Sequence, residues 1–220
     1  AGGNKKAPMC GVPHHVAETY ISKLVDKGYK VAVCEQLEDP SIAKGLVDRD
    51  VIRIITPGTI IDSNILDEKT NNYLASIYMD DSGLGLSYAD SSTGELYTTE
   101  YIGDENSLYN FLVDEIGKIF PAEIICNEKL MENRNVVKFI KNRINPYINV
   151  YKDEEVNSRN WEEEILKHFK TNSLNSLDLN NKMYSIFSTG KLINYLHYTK
   201  KNSLEDINKI NYYEPNKYMI

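Results

Sequence analysis

Hydrophobic positions near the start of the chain change their period twice. Over residues 15–27, Val16, Tyr20, Ile21 and Leu24 recur at helical spacing and Gly28 follows where a left-handed stop belongs, so a short amphipathic helix is expected. Residues 30–36 then alternate, with Val31, Val33 and Cys34 as the buried side of a strand, and 50–56 repeat the style through Val51, Ile52, Ile54 and Ile55. Thr56-Pro57-Gly58-Thr59 ends that strand, because proline removes a ladder donor and glycine permits a turn. Residues 1–61 therefore read as a first α/β block, and the polar stretch 62–71 as a linker.

Three strand-like runs follow, at 72–79, 84–89 and 96–102, separated by Asp80-Asp81-Ser82-Gly83 and Asp90-Ser91-Ser92-Thr93-Gly94, both of turn composition. A helix is predicted over 104–119, with Leu108, Phe111, Leu112, Ile116 and Ile119 on one face and Pro121 beyond its end. The reading continues with a strand at 122–126, a helix at 133–143, a strand at 147–151 and a helix at 159–169 that faces Trp161, Ile165, Leu166 and Phe169 inward. A meander followed by alternating helices and strands implies a mixed sheet whose parallel part is covered by helices, the order of a ribonuclease-H-like fold. A long helix over 180–201, with Tyr184, Phe187, Leu192, Tyr195, Leu196 and Tyr198, closes this second domain at about residue 202. Residues 203–220 show the start of a strand and no finished domain, which predicts a chain that continues into a third one.

Composition alters this picture only at the margins. The hydrophobic (41%) and charged (26%) shares are ordinary for globular proteins, and no apolar run approaches a membrane span. With no apolar signal near the N-terminus, a cytoplasmic location is expected. Cys10, Cys34 and Cys126 leave an odd thiol, and all three are expected to be reduced. The net charge of −7 argues against binding nucleic acid by overwhelming positive charge. It is uneven, however: Lys+Arg against Asp+Glu is 8 to 8 through Leu66, 11 to 20 from Asp67 to Lys170, and 6 to 4 thereafter. Phosphate contacts are therefore expected at the ends of the chain, not in its acidic middle.

Four separate strings carry a resemblance: Ala7-Pro8-Met9-Cys10-Gly11-Val12-Pro13-His14-His15, Cys34-Glu35-Gln36-Leu37-Glu38-Asp39-Pro40, Lys44-Gly45-Leu46-Val47 and Arg53-Ile54-Ile55-Thr56-Pro57-Gly58-Thr59. In order and spacing the chain resembles the MutS family of DNA mismatch-repair proteins. Residues 1–61 are similar to the latter part of the mismatch-recognition domain. Residues 72–202 are similar to the connector, marked by Asn72-Tyr73-Leu74-Ala75 and Asp90-Ser91-Ser92-Thr93-Gly94-Glu95, and 203–220 to the beginning of the core or lever domain. The resemblance implies a full-length dimeric ATPase clamp that binds mismatched double-stranded DNA, uses ATP with Mg, and recruits MutL. It also implies what this stretch leaves out. The family's Phe-x-Glu wedge motif does not precede Ala7, and no Walker loop of the form Gly-x-x-x-x-Gly-Lys-Ser/Thr occurs in the sequence, so no ATP chemistry, cofactor or catalytic residue is expected here.

Candidate sites follow from both readings. Arg49 matches a family position near the DNA backbone, and a guanidinium suits bidentate phosphate contact; the competing reading pairs it with Asp48 or Asp50. Lys44 and Arg53 are the other DNA-binding candidates. Cys10, His14, His15 and Cys34 lack the paired spacing of a zinc site, and Cys34 reads as an inert core thiol. A metal-dependent nuclease is the enzymatic alternative, but the first strand of the second domain has Ala75-Ser76-Ile77 where such an enzyme needs an aspartate, and Asp80, Asp81 and Asp90 fall at turns. A general nucleic-acid-binding module using the neutral N-terminal block is the other alternative.

Overall fold

The computed structural model describes residues 11–39, 45, 47–60, 71–152, 159–200 and 204–215. The first block starts with a single 3-10 turn, His14–Val16, that runs into α1 (Ala17–Val25), and Gly28 at φ +82° turns the chain into the first strand. β1 (Val31–Gln36) and β2 (Arg49–Ile55) pair antiparallel, with an irregularity at Val33/Cys34. Val25, Ile55 and Ile60 make a small core, with Ile21, Val31 and Val33 against it. Tyr20 and Leu24, predicted to face inward, are exposed, and so is Cys34. Strand alternation puts Cys34 on the face opposite Val31 and Val33, so it is not the buried thiol that was expected.

The connector-like domain is a six-stranded sheet in the order β7-β6-β3-β4-β5-β8. β3 (Tyr73–Met79), β4 (Gly83–Asp90) and β5 (Glu95–Ile102) form the antiparallel meander; β6 (Glu123–Asn127) and β7 (Tyr147–Tyr151) extend it in parallel from β3. This is the predicted ribonuclease-H-like order. Side chains alternate strictly: Ala75, Ile77, Met79, Leu84, Leu86, Ile124 and Cys126 face α2 (Glu105–Ile119), α3 (Glu128–Glu132) and α4 (Arg134–Phe139). Leu74, Ala89, Leu96 and Ile125 face α5 (Trp161–His168) and α6 (Met183–Lys200) on the other side. The single helix predicted over 133–143 is in fact α4 running into a π turn, Ile140–Ile144, that ends on Asn145 at φ 56°.

α6 departs most from its predicted amphipathic form. Its buried positions go nearly all the way round, including Ser185, Ser188, Thr189 and Gly190, while Tyr198 is exposed. The helix lies unusually close to the sheet because the strands beneath it carry small residues. A Cβ at Gly85 would fall 1.9 Å from the Tyr184 carbonyl oxygen, and one at Gly190 would fall 2.8 Å from Trp161. Hydroxyls fill the polar gap: Ser87 Oγ lies 2.8 Å from Thr98 Oγ1, 2.7 Å from Ser188 Oγ and 2.9 Å from Thr189 Oγ1.

Residues 204–213, read from sequence as the start of another domain, pack back on this one. Leu204, Ile207 and Ile210 are buried in the α5/α6 core, and β8 (Asn211–Tyr212) adds in parallel to β5. Tyr213 donates to Glu115 Oε2 at 2.7 Å, on the opposite face. Among the described residues no helix is long and apolar enough to cross a membrane. Burial pushes the Cys126 thiol up to about 12, whereas Cys34 is open to solvent. Iodoacetamide at mild alkaline pH is therefore expected to label Cys34 promptly and to spare Cys126 until the chain is unfolded, as peptide mass mapping can show.

Candidate functional site

The first block and the connector-like domain meet at one carboxyl group. Proline at 57 bends the chain out of β2 into a 3-10 turn, Pro57–Thr59, closed by reciprocal bonds: Thr56 N–H donates to Thr59 Oγ1 at 2.9 Å and Thr59 N–H to the Thr56 carbonyl at 3.0 Å. This turn sits on the N-terminal end of β6, where parallel pairing sets Glu123 between Leu74 of β3 and Tyr147 of β7. Glu123 is 0% exposed. Its Oε2 accepts from the Thr56 hydroxyl and, at 3.0 Å, from Gly58 N–H; its Oε1 accepts from Tyr195 OH and Asn149 Nδ2, each at 2.6 Å.

A buried acid is costly unless its oxygens are met by donors, and here four donors from three segments, the 3-10 turn, β7 and α6, meet them. Gly58 makes the approach possible: a Cβ there would lie 2.8 Å from Glu123 Cβ and 3.0 Å from Leu74 Cβ. Two further ties flank the joint. Asn72 Nδ2 donates to the Pro57 carbonyl at 2.9 Å while Asn72 N–H donates to Asp90 Oδ2 at 3.0 Å, and the Lys30 ammonium lies 5.6 and 5.4 Å from the ring centroids of Tyr147 and Tyr195. Burial and the adjacent Glu123 push the Tyr195 phenol well above its ordinary value, so it stays a hydrogen-bond donor. The cluster is built to hold two bodies in one orientation, with both oxygens of the Glu123 carboxylate engaged.

The sequence-predicted residues fall elsewhere. Arg49 opens β2, exposed, and its Nη1 donates to the Val47 carbonyl at 3.3 Å; among the described residues its guanidinium forms no ion pair, with Asp48 and Asp50 or otherwise. Arg53 is engaged by Glu18 of α1, which ties helix to hairpin and weakens its case as a phosphate contact. Lys44 and Cys10 lie outside the described residues. The aspartates of the nuclease reading serve turns: Asp80 Oδ1 accepts from Ser82 N–H, Gly83 N–H and Tyr184 OH at 2.8, 3.0 and 2.9 Å, and Asp90 Oδ1 from Ser92 N–H and Oγ at 2.8 and 2.6 Å. Among the described residues no cluster of three or more His, Cys, Asp or Glu is arranged to hold a metal ion. Glu123 itself escaped the sequence reading; the one signal was an acid at the head of the apolar run Ile124-Ile125-Cys126.

Two family models match in series, MutS domain I over residues 1–64 and MutS domain II over residues 72–208. The chain belongs to the MutS family. It is 48% identical to the DNA mismatch repair protein MutS of Alkaliphilus oremlandii over 214 residues, 96% of the chain, and 48% identical to that of Caldanaerobacter subterraneus subsp. tengcongensis over 219 residues, 100% of the chain. The MutS of Halothermothrix orenii is 47% identical over 220 residues. The chain spans 24% of the length of each of these relatives. In this MutS-family chain the Glu123 joint straddles the two matches: Thr56 and Gly58 come from domain I, and Glu123, Asn149 and Tyr195 from domain II.

Proposed function

We propose that this MutS-family chain is the non-catalytic link of a mismatch-repair protein, holding the DNA-recognition domain at a fixed angle to the connector and offering the connector as a surface to MutL. The supporting observation is the Glu123 joint: two of its four hydrogen bonds, from Thr56 and Gly58, run across the boundary of the two MutS domains, and the other two, from Asn149 and Tyr195, hold the carboxylate in place from within domain II. In the full-length protein the link belongs to a cytoplasmic homodimer that binds mismatched double-stranded DNA and hydrolyses ATP with Mg in a part outside these 220 residues. The test is a titration of this chain with the N-terminal fragment of MutL, with a matched and a mismatched duplex as parallel ligands. Saturable MutL binding with feeble, unselective DNA binding is expected; strong mismatch selectivity without MutL binding would overturn the reading.

Within this function Arg49 is the phosphate contact of the first block, exposed and in no ion pair among the described residues, and Lys44 and Arg53 are secondary to it. Arg49→Ala is expected to weaken binding to matched and mismatched duplexes alike and to reduce the slope of log K against log salt by about 1. Its melting temperature should not move. Arg53→Ala breaks the pair with Glu18, a half-exposed ion pair whose loss costs roughly 0–1 kcal/mol of stability.

A further inference from the structure

The segment after α6 returns to the connector beneath a pair of histidines. His168 ends α5 and His197 lies in the last turn of α6, and the packing of these helices brings His168 Nδ1 to 3.3 Å from His197 Nε2. On the other side of its ring, His168 Nε2 is 2.8 Å from the Ile207 carbonyl oxygen. A carbonyl oxygen only accepts, so Nε2 carries the hydrogen and the neutral ring turns a bare Nδ1 lone pair towards His197. Metal-binding histidines are arranged in this way, the second ring N–H donating to a backbone carbonyl and so fixing both tautomer and orientation. The ring centroids are 5.3 Å apart with planes at 76°, and the pair lines an open cavity of about 720 Å³.

We propose that His168 and His197 form a two-imidazole site for a borderline divalent ion of the zinc type, bridging α5 and α6, with water in the remaining positions. Two nitrogens each about 2.0–2.1 Å from a tetrahedral zinc are separated by roughly 3.3–3.4 Å; the observed separation is 3.3 Å. Without the ion His197 Nε2–H donates to His168 Nδ1; to bind, His197 takes the tautomer with its hydrogen on Nδ1 and presents the Nε2 lone pair, so one N–H···N hydrogen bond is given up and no net proton is released. The site is an open one, because among the described residues no third His, Cys, Asp or Glu completes a cluster. Glu164, one helical turn before His168, lines the same cavity and supplies opposing charge, against Lys167 and Lys170. A bound ion fixes the His168 ring and with it the hold on Ile207, so it fastens residues 204–213 to the connector.

The test is calorimetric titration of the 220-residue chain with Zn²⁺, comparing the wild type with His197→Ala, His168→Ala and a His14→Ala/His15→Ala double variant. His197 is exposed, so its replacement leaves the core intact, and circular dichroism checks that it does. One Zn²⁺ per chain at micromolar affinity is expected in the wild type and in the His14/His15 variant, with affinity falling by about tenfold or more in each of the other two. Zn²⁺ should also raise the melting temperature of the wild type and not that of His197→Ala. Absence of saturable binding, or binding that survives in His197→Ala, or binding that is lost with His14 and His15, overturns the proposal.

Discussion

Gly85→Ala is expected to lower the stability of the connector by about 3 kcal/mol or more, at the upper end of what overpacking a core costs. The new methyl group would sit 1.9 Å from the carbonyl oxygen and 2.3 Å from the carbonyl carbon of Tyr184, both backbone atoms of α6. Rotamer changes give no relief, so the whole helix must lift. It is held down by the hydroxyl cluster of Ser87, Ser188 and Thr189 and, at the next residue, by Trp161 pressed against Gly190, so lifting it breaks buried polar and apolar contacts together. Trp161 is the only tryptophan, and it is buried beside α6, so its fluorescence in a urea titration reports the loss directly. Gly11→Ala is the matched control: nothing lies within 4 Å of a Cβ there, and the same titration should show a change within about 0.5 kcal/mol.

Glu123→Ala has the second largest expected effect, about 3 kcal/mol, by a different route. It leaves the Thr56 and Tyr195 hydroxyls, the Gly58 N–H and the Asn149 amide without their acceptor in a site closed to solvent, and each stranded donor costs roughly 1–3 kcal/mol before relaxation. Relaxation is available here, because the Thr56 to Thr59 turn can swing away and recover its hydrogen bonds from water. The variant should therefore lose the docking of β2 and its turn before it loses the connector. Limited proteolysis is expected to cut residues 49–60 at protease levels that spare this segment in the wild type. Thr56→Val removes one donor and leaves Glu123 three, so its cost should be nearer 1 kcal/mol.

Much of the fold was legible because it obeys simple periods. The meander 73–102 and the parallel strands β6 and β7 alternate with helices of one apolar face, and α2, α5 and the three-stranded start all lie within a few residues of where hydrophobic spacing places them. α6 was legible as a helix but not in its packing. Ser185, Ser188 and Thr189 look solvent-facing on a helical wheel, and only the glycines and serine of β4 across the sheet explain why they are buried. Residues 204–213 misled for a related reason: two residues of parallel edge strand and three spaced apolar side chains carry almost no local signal; the strand's partners lie more than a hundred residues upstream on β5, and the side chains are buried in the α5/α6 core.

The joint was half legible. Thr56-Pro57-Gly58-Thr59 announced a turn, and its glycine requirement follows from a close approach that only the folded chain reveals. Glu123 has no neighbours in sequence that mark it, since all four of its donors are distant along the chain or supplied by another strand. Cys34 failed in the opposite sense. Apolar character groups it with Val31 and Val33, but as the immediate neighbour of Val33 it points to the opposite, exposed face of the strand.

The central claim is that the two MutS domains of this chain are coupled through Glu123. Native-state hydrogen exchange on the wild type and Glu123→Gln tests it most directly, because the glutamine keeps the size of the side chain and turns one acceptor into a donor facing donors. The account predicts that the amides of Gly58, Thr59 and β2 lose protection in the variant while those of β3 and β4 keep theirs. Unchanged protection at Gly58 and β2 would contradict it, and so would an even loss across both domains.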